Sequence, residues 1–188
     1  MKIILPFFRA FGWDESNFSQ WVEQYRVGDR GHADHAIIFN GAPAILIESK
    51  TLRASLSSPS YQEQVSRYFN GTETHIAILT NGQEYWFYSY EGISESKIEP
   101  FAKVNLADID LTRADAPLMA LCRYKFRVNN LCDLSKAVMK LRAYRMIIGH
   151  KNCDVNTVKL ISDTFTQIFP EKPSADIAKL VSFALKYE

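Results

Sequence analysis

The sequence reads as an α/β fold: a β-rich core of about a hundred residues followed by a helical C-terminal part. Three observations give that reading. Short β-prone runs, separated by turn dipeptides, fill the first half of the chain. A helix-period segment interrupts those runs once, between about Ser57 and Phe69. Beyond residue 103 the apolar residues recur only at three- and four-residue spacing.

Taken in order, Lys2 to Phe11 has helical spacing and stops at Gly12, a residue suited to a helix C-terminus. Gln20 to Val27 alternates Trp21, Glu23, Tyr25 and Val27 on one side, which suits a strand, although the segment could also open as a helix. His32 to Phe39 and Ala44 to Lys50 flank Asn40-Gly41, a strong hairpin signal. Ser57-Ser58-Pro59 opens a helix that runs to Phe69 and is closed by Asn70-Gly71. His75 to Leu79 is a short buried strand, and Asn81-Gly82 turns it into the aromatic strand Glu84 to Tyr90. Helical spacing then recurs over Pro117 to Phe126, Leu134 to Ile148, Val155 to Phe169 and Ile177 to Tyr187, with Asp154 and Ser174 as N-caps. The expected organisation is a core over residues 1–104 and a helical extension over 105–188, packed on that core.

Composition sets limits on function. With 188 residues, 47% hydrophobic and 23% charged, the chain is globular and not disordered. The apolar run Ile3 to Phe8 is ended by Arg9 and Asp14, short of a signal peptide or membrane span. Cys122, Cys132 and Cys153 are odd in number and lack paired spacing, which argues against a disulfide framework or a zinc knuckle. Free thiols suit a reducing compartment, so the expected location is the cytoplasm, with no membrane partner. The net charge of +1 hides an asymmetry. From Leu121 to Lys151 eight basic residues face the single acid Asp133, and the remainder of the chain is net negative. An acidic part suits a metal, and a basic part suits phosphate. A solvated helix face is the plainer explanation of the same charges.

The residues that could carry chemistry lie on the hairpin. Asp34 begins one strand, and Glu48-Ser49-Lys50 ends the next. Residues two apart share a strand face, so Glu48 and Lys50 project together and Ser49 points away. If paired residue numbers sum to 82, Asp34 stands opposite Glu48; a two-residue loop gives 81 and turns Asp34 to the wrong face. A loop over Asn40 to Ala42, or a bulged turn, is therefore expected. Two carboxylates on one face repel unless a cation lies between them. A hard divalent ion answers that need, binding through one or two carboxylates and activating a water, with Lys50 beside it to balance charge on a phosphate. The apolar run Ala44-Ile45-Leu46-Ile47 marks a buried strand, so the charged pair emerges from the interior.

The wider pattern carries a resemblance. Leu5-Pro6, Phe11-Gly12-Trp13-Asp14, Glu23, Asp34-His35-Ala36-Ile37, Leu46-Ile47-Glu48-Ser49-Lys50, Gln64-Val65-Ser66-Arg67-Tyr68 and Leu79-Thr80-Asn81-Gly82 stand in family order. Over residues 2–90 they resemble the N-terminal nuclease domain of type I restriction enzyme R subunits and its small stand-alone relatives, within the PD-(D/E)XK superfamily. The resemblance implies a restriction-endonuclease-like core, a central mixed sheet flanked by helices. It implies a Mg²⁺-dependent endodeoxyribonuclease, with Mn²⁺ able to substitute and DNA as partner. Asp34 and Glu48 would be the metal ligands, Lys50 the catalytic lysine and Glu23 the upstream glutamate of the site. Gln64 and Tyr68 match the family's Q-x-x-x-Y motif, one helical turn apart on one face. Ala33 stands where the name-giving proline would be, and Ser49 is more polar than the usual middle residue. No G-x-x-x-x-G-K-[ST] occurs, so no ATP-driven motor is expected and the chain reads as a stand-alone nuclease.

Plainer roles stand beside these. Glu23 could be a strand-face carboxylate and Tyr68 a core tyrosine, while Trp86, Tyr85 and Tyr88 read as packing and His32 and His35 as non-catalytic. On the helix Leu134 to Ile148, Lys136 and Lys140 flank the apolar stripe on one side and Arg142 and Arg145 on the other, as candidate DNA contacts. Two other classes remain open: a catalytically silent DNA-binding or assembly module of the same fold, and an interaction domain in which D…ExK is accidental. Keeping both acids and the lysine speaks against the silent module. Cutting both strands of a duplex would call for two active sites, as in a homodimer, and no segment marks such an interface.

Overall fold

The structure, a computed structural model, describes residues 3–90, 98–108, 116–148 and 155–187. Six strands form one mixed sheet in sequence order: β1 (Trp21–Arg26), β2 (His32–Phe39), β3 (Ala42–Ser49), β4 (Ile76–Thr80), β5 (Glu84–Ser89) and β6 (Ala102–Asn105). β3 and β4 are parallel, and every other neighbouring pair is antiparallel. The parallel pair needs a crossover, which helix α2 (Pro59–Phe69) supplies. Its start follows from Ser58 with proline just inside the first turn, and Asn70 closes it.

Each face of the sheet carries its own apolar cluster, because alternate residues of every strand point to opposite sides. Ala36, Leu46, Ala77, Leu79, Trp86 and Tyr88 pack against Val65, Tyr68 and Phe69 of α2. Ile37, Ile45, Ile47, Ile76, Ile78, Tyr85 and Phe87 face the other way. They join α1 (Ile4–Ala10), α3 (Ala116–Ala120), α4 (Val128–Ile148), α5 (Val155–Ile168) and α6 (Ser174–Tyr187) in one core. With both faces covered, β4 is buried along its whole length and β3 from Ile45 to Glu48, as their apolar runs require. The expected helical extension is therefore the second helical layer of the sheet. Trp13 fastens it to the N-terminal segment by donating its indole N–H to the Leu121 carbonyl at 2.8 Å.

Several element bounds differ from expectation. α4 opens at Val128, six residues before the expected Leu134, and Pro117 to Phe126 forms α3 plus one 3₁₀ turn over Arg123–Lys125. Ser174 is the first residue of α6 instead of its cap, and Asp154 lies outside the described residues. β6 was not expected at all. Cys122 is half-buried and Cys132 buried, while Cys153 lies outside the described residues. Among the described residues, no helix is long and apolar enough to cross a membrane.

The hairpin meets the required register by an unexpected route. Its loop is the two-residue turn Asn40-Gly41, both with positive φ, and the adjacent pairs Phe39↔Ala42 and Ile38↔Pro43 sum to 81. One step inward β2 advances one residue while β3 advances two, so Ile37 pairs with Ile45 and the sum becomes 82. Ala44 is the extra residue of this bulge, beside Pro43, which has no N–H to give to the ladder.

Candidate active site

Beyond the bulge, Ala36 pairs with Leu46 and His35 with Ile47, where the pairing ends; the same sum carried one step further sets Asp34 opposite Glu48. Opposed residues in an antiparallel pair project from the same face. Here it is the face that α2 covers, since Leu46 belongs to the α2 cluster and Glu48 follows it by two. The register continues across the sheet: Glu48 pairs with Leu79, Leu79 with Trp86, and Trp86 with Lys103.

Four side chains close a ring of hydrogen bonds on this face. Lys50 Nζ donates to Glu48 Oε1 at 2.6 Å and to Gln64 Oε1 at 2.9 Å. Gln64 Nε2 donates to the Tyr68 hydroxyl oxygen at 2.8 Å, and the Tyr68 hydroxyl donates to Glu48 Oε2. The same hydroxyl lies 3.1 Å from the His32 carbonyl. Glu48 is only 5% exposed, a burial a carboxylate tolerates only when charge and lone pairs are matched. Lys50 matches the charge, with its ammonium also 4.6 Å from the centre of the Tyr61 ring. Gln64 and Tyr68 were expected to share a helix face, and they do, one turn apart over the charged pair. Burial, and then the bond to Glu48, raise the Tyr68 pKa far above the ordinary phenol value. Tyr68 is thus a neutral donor and not a base.

Asp34 is held separately. Its Oδ2 accepts the backbone N–H of Ser49 at 2.8 Å and the Ser49 hydroxyl as well. This corrects the expectation that Ser49 turns away: alternation describes Cβ directions, whereas a backbone N–H and the hydroxyl of the last strand residue escape it. Glu23 is not brought to the site. It pairs with His35, so it leaves the sheet on the face opposite Asp34, and it is exposed. The residue that does reach Asp34 from β1 is Gln24, whose backbone is left-handed (φ 50°) and whose amide lies 3.5 Å from Oδ1.

Of the expected DNA contacts on α4, Lys136 and Lys140 are not gathered here, while Arg142 lies at the edge of a neighbouring cleft. Lys136 and Lys140 are exposed, on a helix whose buried stripe packs against the other face of the sheet. Arg142 donates to the Pro100 carbonyl at 3.0 Å and lies 3.5 Å from Glu99. The Arg145 side chain lies outside the described residues. A cation missed in the sequence stands instead in the row of Glu48: Lys103, 3.9 Å from the centre of the Trp86 ring. Lys103 and Trp86 line a cleft of about 200 Å³ with Ser57, Gln62 and Arg142.

Behind the site, on the opposite face, His35 is 1% exposed beside Trp21, with ring centres 5.0 Å apart. Neither of its nitrogens has a hydrogen-bond partner among the described residues. Burial holds its pKa below the ordinary 6.5, against the pull of Asp34, Glu23 and Glu48. The unfolded chain takes up this proton near pH 6.5 and the folded chain only at lower pH. Folding stability is therefore expected to be intact above that value and to decline as pH falls through it, by at most about 1.4 kcal/mol per pH unit from this group. Denaturant titrations between pH 7.5 and 5.5 should show the decline, flattened in His35→Phe. An equal slope in that variant would remove His35 from the account.

The donor set suits a hard cation. Asp34 Oδ1 and Glu48 Oε1 are the carboxylate oxygens not taken by hydroxyl donors, and no group of three acids, histidines or cysteines joins them among the described residues. Two carboxylates with waters and substrate oxygens completing the shell is the usual ligation of Mg²⁺. No protein-family model, curated protein or solved structure matches the chain.

Proposed function

We propose that this protein is a Mg²⁺-dependent nuclease of the PD-(D/E)XK kind, acting on DNA, with a restriction-endonuclease-like arrangement of its mixed sheet. The observation that carries the reading is the shared placement of two acids and one lysine. By the register of the neighbouring pairs Asp34 falls opposite Glu48 on one face, and Lys50 Nζ lies 2.6 Å from Glu48, held from behind by Gln64. An accidental D…ExK on a solvated strand end would need neither the burial of Glu48 nor the closed ring around it.

Asp34 and Glu48 would hold the ion, which lowers the pKa of a bound water and offsets charge on a phosphate. The remaining work falls to this chain's side chains. Lys50, its ammonium aimed by Gln64, stands where it can orient a water and balance negative charge building on phosphorus. Tyr68 stays protonated and fixes the plane of the Glu48 carboxylate. Asp34 is turned by Ser49 so that Oδ1 stays free of strong donors. A polynucleotide substrate is supported by Trp86 and Lys103, an aromatic ring and a cation in the same lateral row, about 10 Å and about 14 Å from Glu48 at ordinary strand spacing.

The test is cleavage of plasmid and single-stranded DNA with Mg²⁺, with chelator, and with Asp34→Asn. Cleavage is expected in Mg²⁺ alone, reduced about a hundredfold or more in the variant. Equal nicking in all three conditions would overturn the mechanism. Metal-independent DNA binding without cleavage would favour the silent module.

A further inference from the structure

Each carboxylate of the site has one oxygen already occupied by a neutral hydroxyl. Ser49 gives both its N–H and its O–H to Asp34 Oδ2, and Tyr68 gives its O–H to Glu48 Oε2. The other two oxygens are held differently. Among the described residues, Asp34 Oδ1 has the Gln24 amide at 3.5 Å and no closer donor, and Glu48 Oε1 has the Lys50 ammonium, a cation that another cation can replace. The pattern is the same on both acids, although one lock comes from the strand and the other from the helix. Tyr68 is 1% exposed, so its hydroxyl cannot turn to solvent if Glu48 lets go.

The number of oxygens a carboxylate offers decides which ion it suits. Ca²⁺ takes six to eight oxygens and readily uses both oxygens of one carboxylate, whereas Mg²⁺ holds near-ideal octahedral geometry at shorter distance and takes one from each. Asp34 Oδ2 already accepts two donors and Glu48 Oε2 one, so an ion binding either carboxylate through both oxygens would displace or share hydrogen bonds that the fold has already made. We infer that Ser49 and Tyr68 are positioning residues that hold Asp34 and Glu48 to single-oxygen ligation, so that the site selects small octahedral cations, Mg²⁺ and Mn²⁺, over Ca²⁺. The inference rests on the metal reading of the same site and adds to it the residues that set the choice of ion.

The experiment measures Mn²⁺ binding to the full chain without DNA, from the electron paramagnetic resonance signal of free Mn²⁺, with Mg²⁺ and Ca²⁺ as competitors. Wild type is compared with Ser49→Ala, Tyr68→Phe and Ser49→Thr. The ratio of Mg²⁺ to Ca²⁺ affinity is expected to fall about tenfold in Ser49→Ala and Tyr68→Phe, mainly through tighter Ca²⁺ binding, and to be retained in Ser49→Thr, which keeps the hydroxyl. Equal weakening of all three ions in both variants would mean that the hydroxyls serve only the fold, and would overturn the inference while leaving the nuclease reading intact. A wild-type protein that binds none of the three overturns both. Should Tyr68→Phe fail to fold, Ser49→Ala with its threonine control decides alone.

Discussion

Lys50→Met is expected to lower Mg²⁺-supported DNA cleavage by about 10²- to 10³-fold, the usual cost of removing one positioned charge from a transition state. Methionine keeps an unbranched apolar stem and removes the ammonium that lies over the Tyr61 ring, so the volume at the site changes little. A second effect follows from Glu48. Without Lys50 its buried negative charge keeps only Tyr68, and breaking such a pair costs about 3–5 kcal/mol. A divalent ion would return positive charge to the same oxygens. The variant should therefore melt well below wild type in chelator and recover a larger part of the deficit in Mg²⁺ than wild type gains. Cleavage time courses and paired thermal melts read the two effects independently. Wild-type cleavage rates in the variant would remove Lys50 from the chemistry.

Glu48→Ala should be the most damaging single change to the fold of this site. It leaves the Lys50 ammonium, 16% exposed, with only Gln64 and the Tyr61 ring, and it leaves the Tyr68 hydroxyl with the His32 carbonyl. An uncompensated charge of this kind costs about 3–5 kcal/mol, or about 10 °C in melting temperature for a chain of this size. Glu48→Gln keeps an acceptor for Lys50 and a similar volume, so most of the stability should return while cleavage does not. Melts and cleavage assays on the two variants separate what the carboxylate does for the fold from what it does for catalysis. Equal stability of wild type and Glu48→Ala would mean that the ring around Glu48 is not holding the region together.

Much of this geometry was legible because its signals are local. Asn40-Gly41 announced the hairpin, Ser58-Pro59 the start of α2, and the spacing of Gln64 and Tyr68 a shared face over the site. The register that opposes Asp34 to Glu48 could be inferred, because only one sum brings two acids together. What escaped was mostly non-local. The resemblance singles out Glu23, but its pairing with His35 turns it to the face opposite Asp34 and gives the place beside Asp34 to Gln24, a register set by two segments and not by one. Ser49 was assigned by Cβ direction alone, which overlooks its N–H. β6 spans only four residues and has no periodicity to read; with it went Lys103. Charge composition drew attention to α4, yet which face of the sheet that helix covers depends on packing between distant segments.

The bulge at Ala44 also bears on how this molecule can change. The hairpin has two registers, one at its tip and one at its base, and the acids belong to the base. Removing Ala44 would merge them into a regular hairpin in which Ile37 still meets Ile45, so Asp34 and Glu48 would stay face to face. The tip is thus mechanically insulated from the acids. Residues can be exchanged at Asn40-Gly41, or a peptide grafted there, without turning either carboxylate out of place. For drift and for engineering alike, that end of the hairpin is where new contacts can be added without disturbing the chemistry at the other.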